Sequence, residues 1–195
     1  KVILIGHKGH PEVEGTMGQV NADQVTLVET VEDARTVQPP EDSNLAFATQ
    51  TTLSIDDTAE IISVLQFRFP DITGPRGEDI CYATTNRQKA VKDIANNVDL
   101  MLVIGASNSS NSQRLVEVAK QAGAADAVLI ADKDAIDWER ADKAGHIGLS
   151  AGASAPESLV QGVIQALADR YDLTVTEHGD IREKVNFKLP SILTQ

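Results

Sequence analysis

The chain has 195 residues, with 17 Lys and Arg against 29 Asp and Glu, so its formal net charge is −12. This acidic balance excludes the basic surface with which proteins bind nucleic acid or anionic membranes. A hydrophobic content of 42% is enough to bury a core and excludes global disorder. The single cysteine, Cys81, excludes an internal disulfide framework and indicates a reducing, cytosolic environment.

The sequence contains no candidate membrane span. Its longest apolar run, Leu100–Ile104, falls far short of the ~18 residues that a transmembrane helix needs. No basic-then-apolar signal segment opens the chain. Because Lys1 leads directly into a strand-like run, we expect that sequence upstream is missing.

Short apolar runs alternate with segments of helix length, which is typical of a parallel sheet with crossover helices. We predict six strands, in chain order Val2–Ile5, Thr26–Glu29, Leu45–Thr49, Leu100–Ile104, Val128–Ala131 and Ile147–Ser150. Helices are predicted near Asp57–Phe67, Arg87–Ala95, Gln113–Gln121 and Pro156–Tyr171. The third of these has an apolar stripe that would cover a sheet, formed by Leu115, Val118, Ala119 and Ala122.

The segment Pro70–Asp79 is rich in proline, glycine and charge, as in a linker, and we place a domain boundary there. The fold class is therefore α/β, with two small and similar parallel-sheet domains of Rossmann-like plan. We assign them residues 1–75 and 76–172. An extended tail, residues 173–195, is expected to pack back through Val175, Ile181, Val185, Phe187 and Leu189.

Hydroxyl and amide residues cluster where predicted strands end and helices begin, which is where open parallel sheets bind ligands. The segments are 49–52, 84–86, 107–112 and 150–154. For a single such residue we favour helix capping over ligand binding, and Thr85-x-x-Gln88 and Ser154-x-x-Glu157 have the spacing of capping boxes. The run Ser107–Ser112 has more polar side chains than one cap requires. There we favour a phosphate held by neutral donors and a helix N-terminus.

The segment Gly6–Gly15 follows the first strand and leaves three interpretations open. His7, His10 and Glu12 could bind a metal, Glu12 could move a proton with His10 assisting, or the segment could be a solvated turn. Cys81 could be a buried apolar thiol or a thiolate ligand. The P-loop, dinucleotide-binding and nucleophile-elbow patterns are absent from the sequence, which disfavours those enzyme classes.

Five blocks of the sequence are long and distinctive: GHKGHPEVEGTMGQ, ATQTTLSIDDT, DICYATTNRQKAV, GASNSSNSQRL and SAGASAPESLVQ. In this order they closely resemble the 4-hydroxy-3-methylbut-2-enyl diphosphate reductase family, from Val2 to about Gln161. The resemblance implies the last step of the methylerythritol phosphate route to isoprenoids, in which an allylic hydroxyl is removed reductively. It also implies a pseudo-threefold fold of three α/β domains, of which this chain resembles the second and third.

The resemblance assigns roles to individual residues. Glu12 and Thr51 would be catalytic, as proton source and relay, and Cys81 would be one of three cysteines that hold a 4Fe-4S cluster. The diphosphate substrate would contact His10, Thr52, Ser109, Ser110, Asn111 and Ser154. The electron donor would be a ferredoxin or flavodoxin, and the location the bacterial cytoplasm or a plastid stroma.

One departure from the family is serious, because the first domain and its two cluster cysteines have no counterpart in this sequence. We therefore expect an iron–sulfur cluster in the complete enzyme but none on this fragment alone, which should be inactive. The alternative from a different class is a non-enzymatic phosphate-binding α/β module that uses the same serine segment.

Overall fold

Six strands form two three-stranded parallel sheets in the computed structural model, which describes residues 1–39, 44–77, 79–179 and 190. The first sheet has the order β2-β1-β3 and the second the order β5-β4-β6. The strands are β1 Val2–Ile5, β2 Val25–Val28, β3 Ala46–Thr49, β4 Leu100–Ile104, β5 Asp126–Ile130 and β6 Ile147–Ala151. All six predicted strands are confirmed, with ends displaced by at most two residues, and the α/β fold class with them.

Seven α-helices lie between or after these strands within the described residues: α1 Pro11–Met17, α2 Val31–Thr36, α3 Ile55–Arg68, α4 Tyr82–Ala95, α5 Ser110–Gln121, α6 Trp138–Ala141 and α7 Glu157–Arg170. A 3₁₀ helix covers Lys133–Ala135. The four predicted helices are α3, α4, α5 and α7, whereas α1, α2 and α6 were missed. No helix in the described part of the chain is long and apolar enough to cross a bilayer.

Side chains of the central strands alternate between the two faces of each sheet, and helices cover both faces. In β4, Met101 and Val103 pack against α4 and α5, while Leu102 and Ile104 pack toward α7. In β1, Ile3 and Ile5 face α2 and α3, and Leu4 faces Val13 of α1. The predicted stripe of α5 is buried at Leu115, Val118 and Ala119, and Ala122 packs beside them.

The two sheets repeat one local plan. The N–H of the glycine that follows the central strand donates to the neighbouring strand, Gly6 to Val28 O and Gly105 to Ile130 O. The residue after the third strand donates back to the central strand, Gln50 to Ile5 O and Gly152 to Ile104 O. In both units a helix N-cap follows four residues after that glycine, at His10 and Ser109. The predicted similarity of the two units is thus present in their hydrogen bonds.

The first half of Pro70–Asp79, the segment expected to be a linker, packs against the first sheet. Thr73 forms a parallel bridge to Ala46, accepts from Phe47 N–H at 2.9 Å and donates to Leu45 O at 2.9 Å. Ile72 is buried, and Gly74 lies so close to the Phe47 ring that a Cβ there would be 2.7 Å from Cζ. The segment therefore extends the first sheet before the chain crosses to α4.

Both predicted capping boxes are wrong. Helix α4 begins at Tyr82 with Cys81 as its N-cap, so Thr85 lies inside the first turn and its buried hydroxyl has no partner in the structure. Pro156 is the N-cap of α7, and its side chain makes no capping hydrogen bond. Ser154 lies two residues before the N-cap position. A complete capping box is formed instead by Thr30 and Asp33 at the start of α2.

The chain after α7 has no helix or strand over residues 172–179, where Leu173 and Val175 are exposed. The other residues expected to pack back, Ile181, Val185, Phe187 and Leu189, lie outside the described residues.

Candidate active site at the carboxyl ends of the sheets

The carboxyl ends of the strands bring together most of the predicted site residues, although they come from distant parts of the sequence. Two pairs of residues show this directly: Glu12 is hydrogen-bonded to Thr51, and His10 to Ser110, which lies 100 residues away. Thr51 in turn accepts from the backbone N–H of Cys81 at 3.0 Å. Both sheets thus contribute to a single connected group of side chains.

Glu12 and Thr51 form a two-point contact. The Thr51 N–H donates to Glu12 Oε1 at 3.0 Å, and the Thr51 hydroxyl donates to Oε2 at 3.0 Å. Both residues are half-buried, Glu12 in the first turn of α1 and Thr51 directly after β3. A carboxyl group that is hydrogen-bonded to a hydroxyl can transfer a proton by way of that hydroxyl. General acid–base chemistry requires such an arrangement.

His10 links this pair to the serine segment. Its Nδ1 accepts from the N–H of Glu12 at 3.2 Å, and its Nε2 lies 2.6 Å from Ser110 Oγ. Because a backbone N–H can only donate, these contacts assign the imidazole proton to Nε2, which then donates to Ser110. Ser110 Oγ accepts that bond and keeps its own proton for another acceptor.

The serine segment forms the N-terminus of α5. Ser109 is the N-cap, and its Oγ accepts from the N–H of Ser112 at 3.3 Å. Asn111 is 7% exposed, and neither its Oδ1 nor its Nδ2 has a partner in the structure. A buried amide without a partner costs free energy, so it indicates a ligand that would complete its hydrogen bonds.

The remaining predicted site residues are Thr52, Cys81 and Ser154. The Thr52 hydroxyl accepts from the buried Gln50 side chain at 3.0 Å. Cys81 is half-buried at the start of α4. Ser154 is exposed and forms no hydrogen bond with the other site residues in the described part of the chain.

The metal interpretation of His7, His10 and Glu12 is not supported. His7 Nε2 lies 2.7 Å from Arg114 Nη2, and because arginine only donates, this nitrogen is occupied as an acceptor. Over residues 1–39, 44–77 and 79–179 no three His, Cys, Asp or Glu side chains are grouped so that they could hold a metal ion.

Sequence reasoning missed three contributors to this site. Gln50 supports both sides of it, since its Oε1 accepts from His7 N–H and its Nε2 donates to Thr52. Ser112 and Arg114 lie within or beside the serine segment but were not selected. Gln50 and Ser112 lie in the polar segments 49–52 and 107–112, so the sequence located them without assigning them a role. The contacts of Gln50 and Arg114 with His7 join residues far apart in sequence and have no local signal.

Comparisons with known proteins agree with this geometry. The LytB protein family matches residues 1–168. A 4-hydroxy-3-methylbut-2-enyl diphosphate reductase of Hyphomonas neptunium is 61% identical over 193 residues, which is 99% of this chain and 61% of that protein. The reductase of the same name from Gluconobacter oxydans is 56% identical over 98% of this chain and 57% of its own length.

A solved structure shows the same fold. The E-1-hydroxy-2-methyl-but-2-enyl-4-diphosphate reductase of Plasmodium falciparum superposes with a TM-score of 0.92 at 35% identity, covering 99% of this chain and 61% of that one. The chain thus spans about three fifths of the length of these relatives. With 168 of its 195 residues matched, the chain belongs to the LytB protein family.

Proposed function

We propose that this chain is the diphosphate-binding and proton-supplying part of a 4-hydroxy-3-methylbut-2-enyl diphosphate reductase. Such an enzyme removes the allylic hydroxyl of its substrate reductively and forms isopentenyl and dimethylallyl diphosphates. The names of the relatives support the reaction. The observation that carries the role of this chain is the buried, unpartnered amide of Asn111 at the N-terminus of α5.

The diphosphate would be held by neutral donors. Ser109, Ser110 and Asn111 are consecutive, and they lie where α5 offers free backbone N–H groups and a partial positive charge. In a protein of net charge −12, such a site binds an anion without a cluster of basic side chains. Thr52, His10 and the exposed Ser154 are proposed as further contacts to the substrate.

The proton would come from Glu12 by way of Thr51. When Glu12 is protonated, the hydrogen bond between Glu12 Oε2 and the Thr51 hydroxyl reverses, so that the carboxyl donates to Thr51. The Thr51 hydroxyl can then give its own proton to a leaving oxygen as it takes the proton of Glu12, which leaves Glu12 as a carboxylate. His10 contacts both the backbone of Glu12 and the Ser110 hydroxyl, so the proton-supplying pair and the phosphate site are connected by hydrogen bonds.

The residues of this chain do not by themselves fit an iron–sulfur cluster. Such clusters are held mainly by several cysteine thiolates, whereas the chain has one cysteine. We propose Cys81 as a single thiolate ligand whose companions come from outside these 195 residues. The proposal also includes a ferredoxin or flavodoxin as electron donor and a cytoplasmic location, in keeping with the bacterial relatives. The chemistry assigned to this chain is confined to binding the diphosphate and supplying a proton.

Inorganic pyrophosphate tests the binding role on the chain as it is. Titration followed by amide chemical shifts should perturb residues 109–112 first. Asn111→Ala should weaken binding by about 1–3 kcal/mol, because a charged ligand loses a hydrogen bond. The melting temperature should not fall by a comparable amount, because the amide has no partner to lose in the free protein.

Asn97→Ala, which removes an exposed amide at the end of α4, is the matched control and should leave binding unchanged. Shifts confined to other segments, or equal binding by Asn111→Ala and the unmodified chain, would remove the diphosphate from this site.

A further inference from the structure

Ser112 has an unusual environment for a serine in the first turn of a helix. It is 1% exposed, and its hydroxyl lies between Gly105 and Gly152, the glycines that directly follow β4 and β6. A Cβ added to either Gly105 or Gly152 would lie 2.1 Å from Ser112 Oγ. Both glycines are therefore needed to leave room for this hydroxyl.

The enclosure determines the direction of the hydrogen bond that Ser112 makes. Its Oγ lies 3.0 Å from Ser109 Oγ, and no other acceptor for its proton is found among the described residues. A buried hydroxyl proton without an acceptor is costly, so Ser112 donates to Ser109.

Ser109 is thereby restricted to one role. Its oxygen accepts twice, from the Ser112 N–H at 3.3 Å and from the Ser112 hydroxyl at 3.0 Å. A serine oxygen has two lone pairs, and both are then occupied. Since Ser109 is half-buried and not enclosed, its own proton is free to donate toward the site.

We propose that Ser112 is a positioning residue of the diphosphate site, which acts by making Ser109 a donor only. The inference rests on the proposed function, in which the ligand is a phosphate group that only accepts. His10 affects the neighbouring hydroxyl in the same way, because its Nε2–H donates to Ser110 and leaves the Ser110 proton free. Two adjacent hydroxyls are thus oriented as donors before an anion arrives, which lowers the cost of binding it.

A double-mutant cycle on the 195-residue chain tests this role, with pyrophosphate affinity as the measurement. Ser112→Ala and Ser109→Ala should each weaken binding about fivefold, the loss expected for one hydrogen bond. If Ser112 acts through Ser109, the double variant should bind as weakly as Ser109→Ala alone. Ser63→Ala, which removes an exposed hydroxyl on α3, is the control.

Melting temperatures of the same variants separate positioning from a purely structural role. Ser112→Ala that lowers the melting temperature and leaves affinity intact, or losses of affinity that multiply in the double variant, would overturn the proposal. If Ser112→Ala does not fold, Ser112→Cys replaces it and should bind with intermediate affinity, because a thiol is a weak donor. Absence of pyrophosphate binding by the unmodified chain would instead overturn the proposed function.

Discussion

Glu12 is the residue for which the acid–base proposal is most specific. In a complete reductase carrying this sequence, Glu12→Gln should reduce turnover by about 10²–10⁴-fold, as expected for loss of a general acid. Fold and substrate affinity should change little, because a glutamine can accept from Thr51 N–H with its oxygen and donate to the Thr51 hydroxyl with its nitrogen. Steady-state kinetics of Glu12→Gln and of the unmodified enzyme measure the effect.

Glu14→Gln is the control for that substitution, since Glu14 is exposed on the same helix two residues further on. Turnover of Glu12→Gln close to that of Glu14→Gln would contradict the assignment of Glu12 as the acid. Loss of the folded state would instead show that the contact between Glu12 and Thr51 is structural.

Ser109 shows why the capping and ligand-binding interpretations do not compete. The structure makes it the N-cap of α5, so removing its hydroxyl should cost about 1 kcal/mol of stability in addition to any loss of ligand affinity. Asn111, two residues later, caps nothing and has no partner in the structure. The sequence pattern alone could not separate these two roles, because both residue types are common at helix starts.

At the scale of elements, the buried Gln88 joins α4 to the first unit, in addition to a more exposed ion pair between Lys92 of α4 and Asp56 of α3 at 2.7 Å. Gln88 is fully buried, its Nε2 donates to Leu53 O at 2.7 Å, and its Oε1 accepts from Ile55 N–H at 3.1 Å. Val91 and Ala95 of the same helix pack into the core of the second sheet. Gln88 therefore fixes the start of α3 relative to the second unit.

Gln88→Leu should destabilise the protein by about 2–4 kcal/mol, because it leaves a backbone carbonyl and a backbone N–H buried without partners. Urea unfolding measures this, with Gln121→Leu on the exposed side of α5 as a control that should change stability by less than about 0.5 kcal/mol. A loss for Gln88→Leu no larger than that of the control would mean that water replaces both hydrogen bonds.

The end of α7 is held by an ion pair whose effect depends on pH. The Arg170 guanidinium donates two hydrogen bonds to Asp142, at 2.9 and 2.6 Å, and Tyr171 donates a third at 2.6 Å. These contacts hold the pKa of Asp142 below its ordinary value, with Arg170 as the largest cause. A carboxyl with a lowered folded-state pKa stabilises the fold above its unfolded pKa of about 3.9, and that stabilisation disappears as the pH falls through the folded-state value.

Asp142→Asn should therefore have a lower melting temperature than the unmodified chain at pH 7, and the difference should shrink as the pH falls below the ordinary value of an aspartate and through the lower folded-state pKa of Asp142. Melting curves between pH 2 and pH 7 would show this, with Asp172→Asn as an exposed control in the adjoining segment. A difference between the two chains that is independent of pH would assign the effect to packing and not to charge.

For the whole molecule, the sequence predicts those strands and helices that have a clear local pattern of apolar residues. The five buried residues of β4 form an unbroken apolar run, and the stripe of α5 has a helical period, so both were found. Helices α1 and α2 bury one residue each, Val13 and Ala34, and such short helices have no apolar stripe to detect. The start of α4 was missed because its first turn contains Thr84 and Thr85, which are poor helix formers.

The sequence predicted most of the residues that belong to the candidate site, but it did not predict which of their side chains contact each other. Polar residues after apolar runs identified the segments around Glu12, Thr51 and Ser110. The contact between Glu12 and Thr51, 39 residues apart, depends on the pairing of β1 with β3, and the contact between His10 and Ser110, 100 residues apart, depends on how the two sheets are placed against each other. Neither contact has a local pattern in the sequence. The resemblance to a known family supplied the roles, and the structure supplies contacts that fit several of them, among them Glu12 with Thr51.

The proposed cluster would need ligands beyond those of this chain, which spans about three fifths of the length of its relatives. Reconstituted anaerobically with iron and sulfide, the 195-residue chain should bind no stoichiometric cluster, because Cys81 is its single thiolate and cuboidal clusters take thiolates at most of their irons. Absorbance in the thiolate-to-iron region and iron analysis should match those of Cys81→Ser treated in the same way. Sizing of the product tests whether several chains share a cluster through their Cys81 thiolates. Stoichiometric iron and sulfide on a monomer would contradict the expectation and would require ligands other than cysteine within this chain.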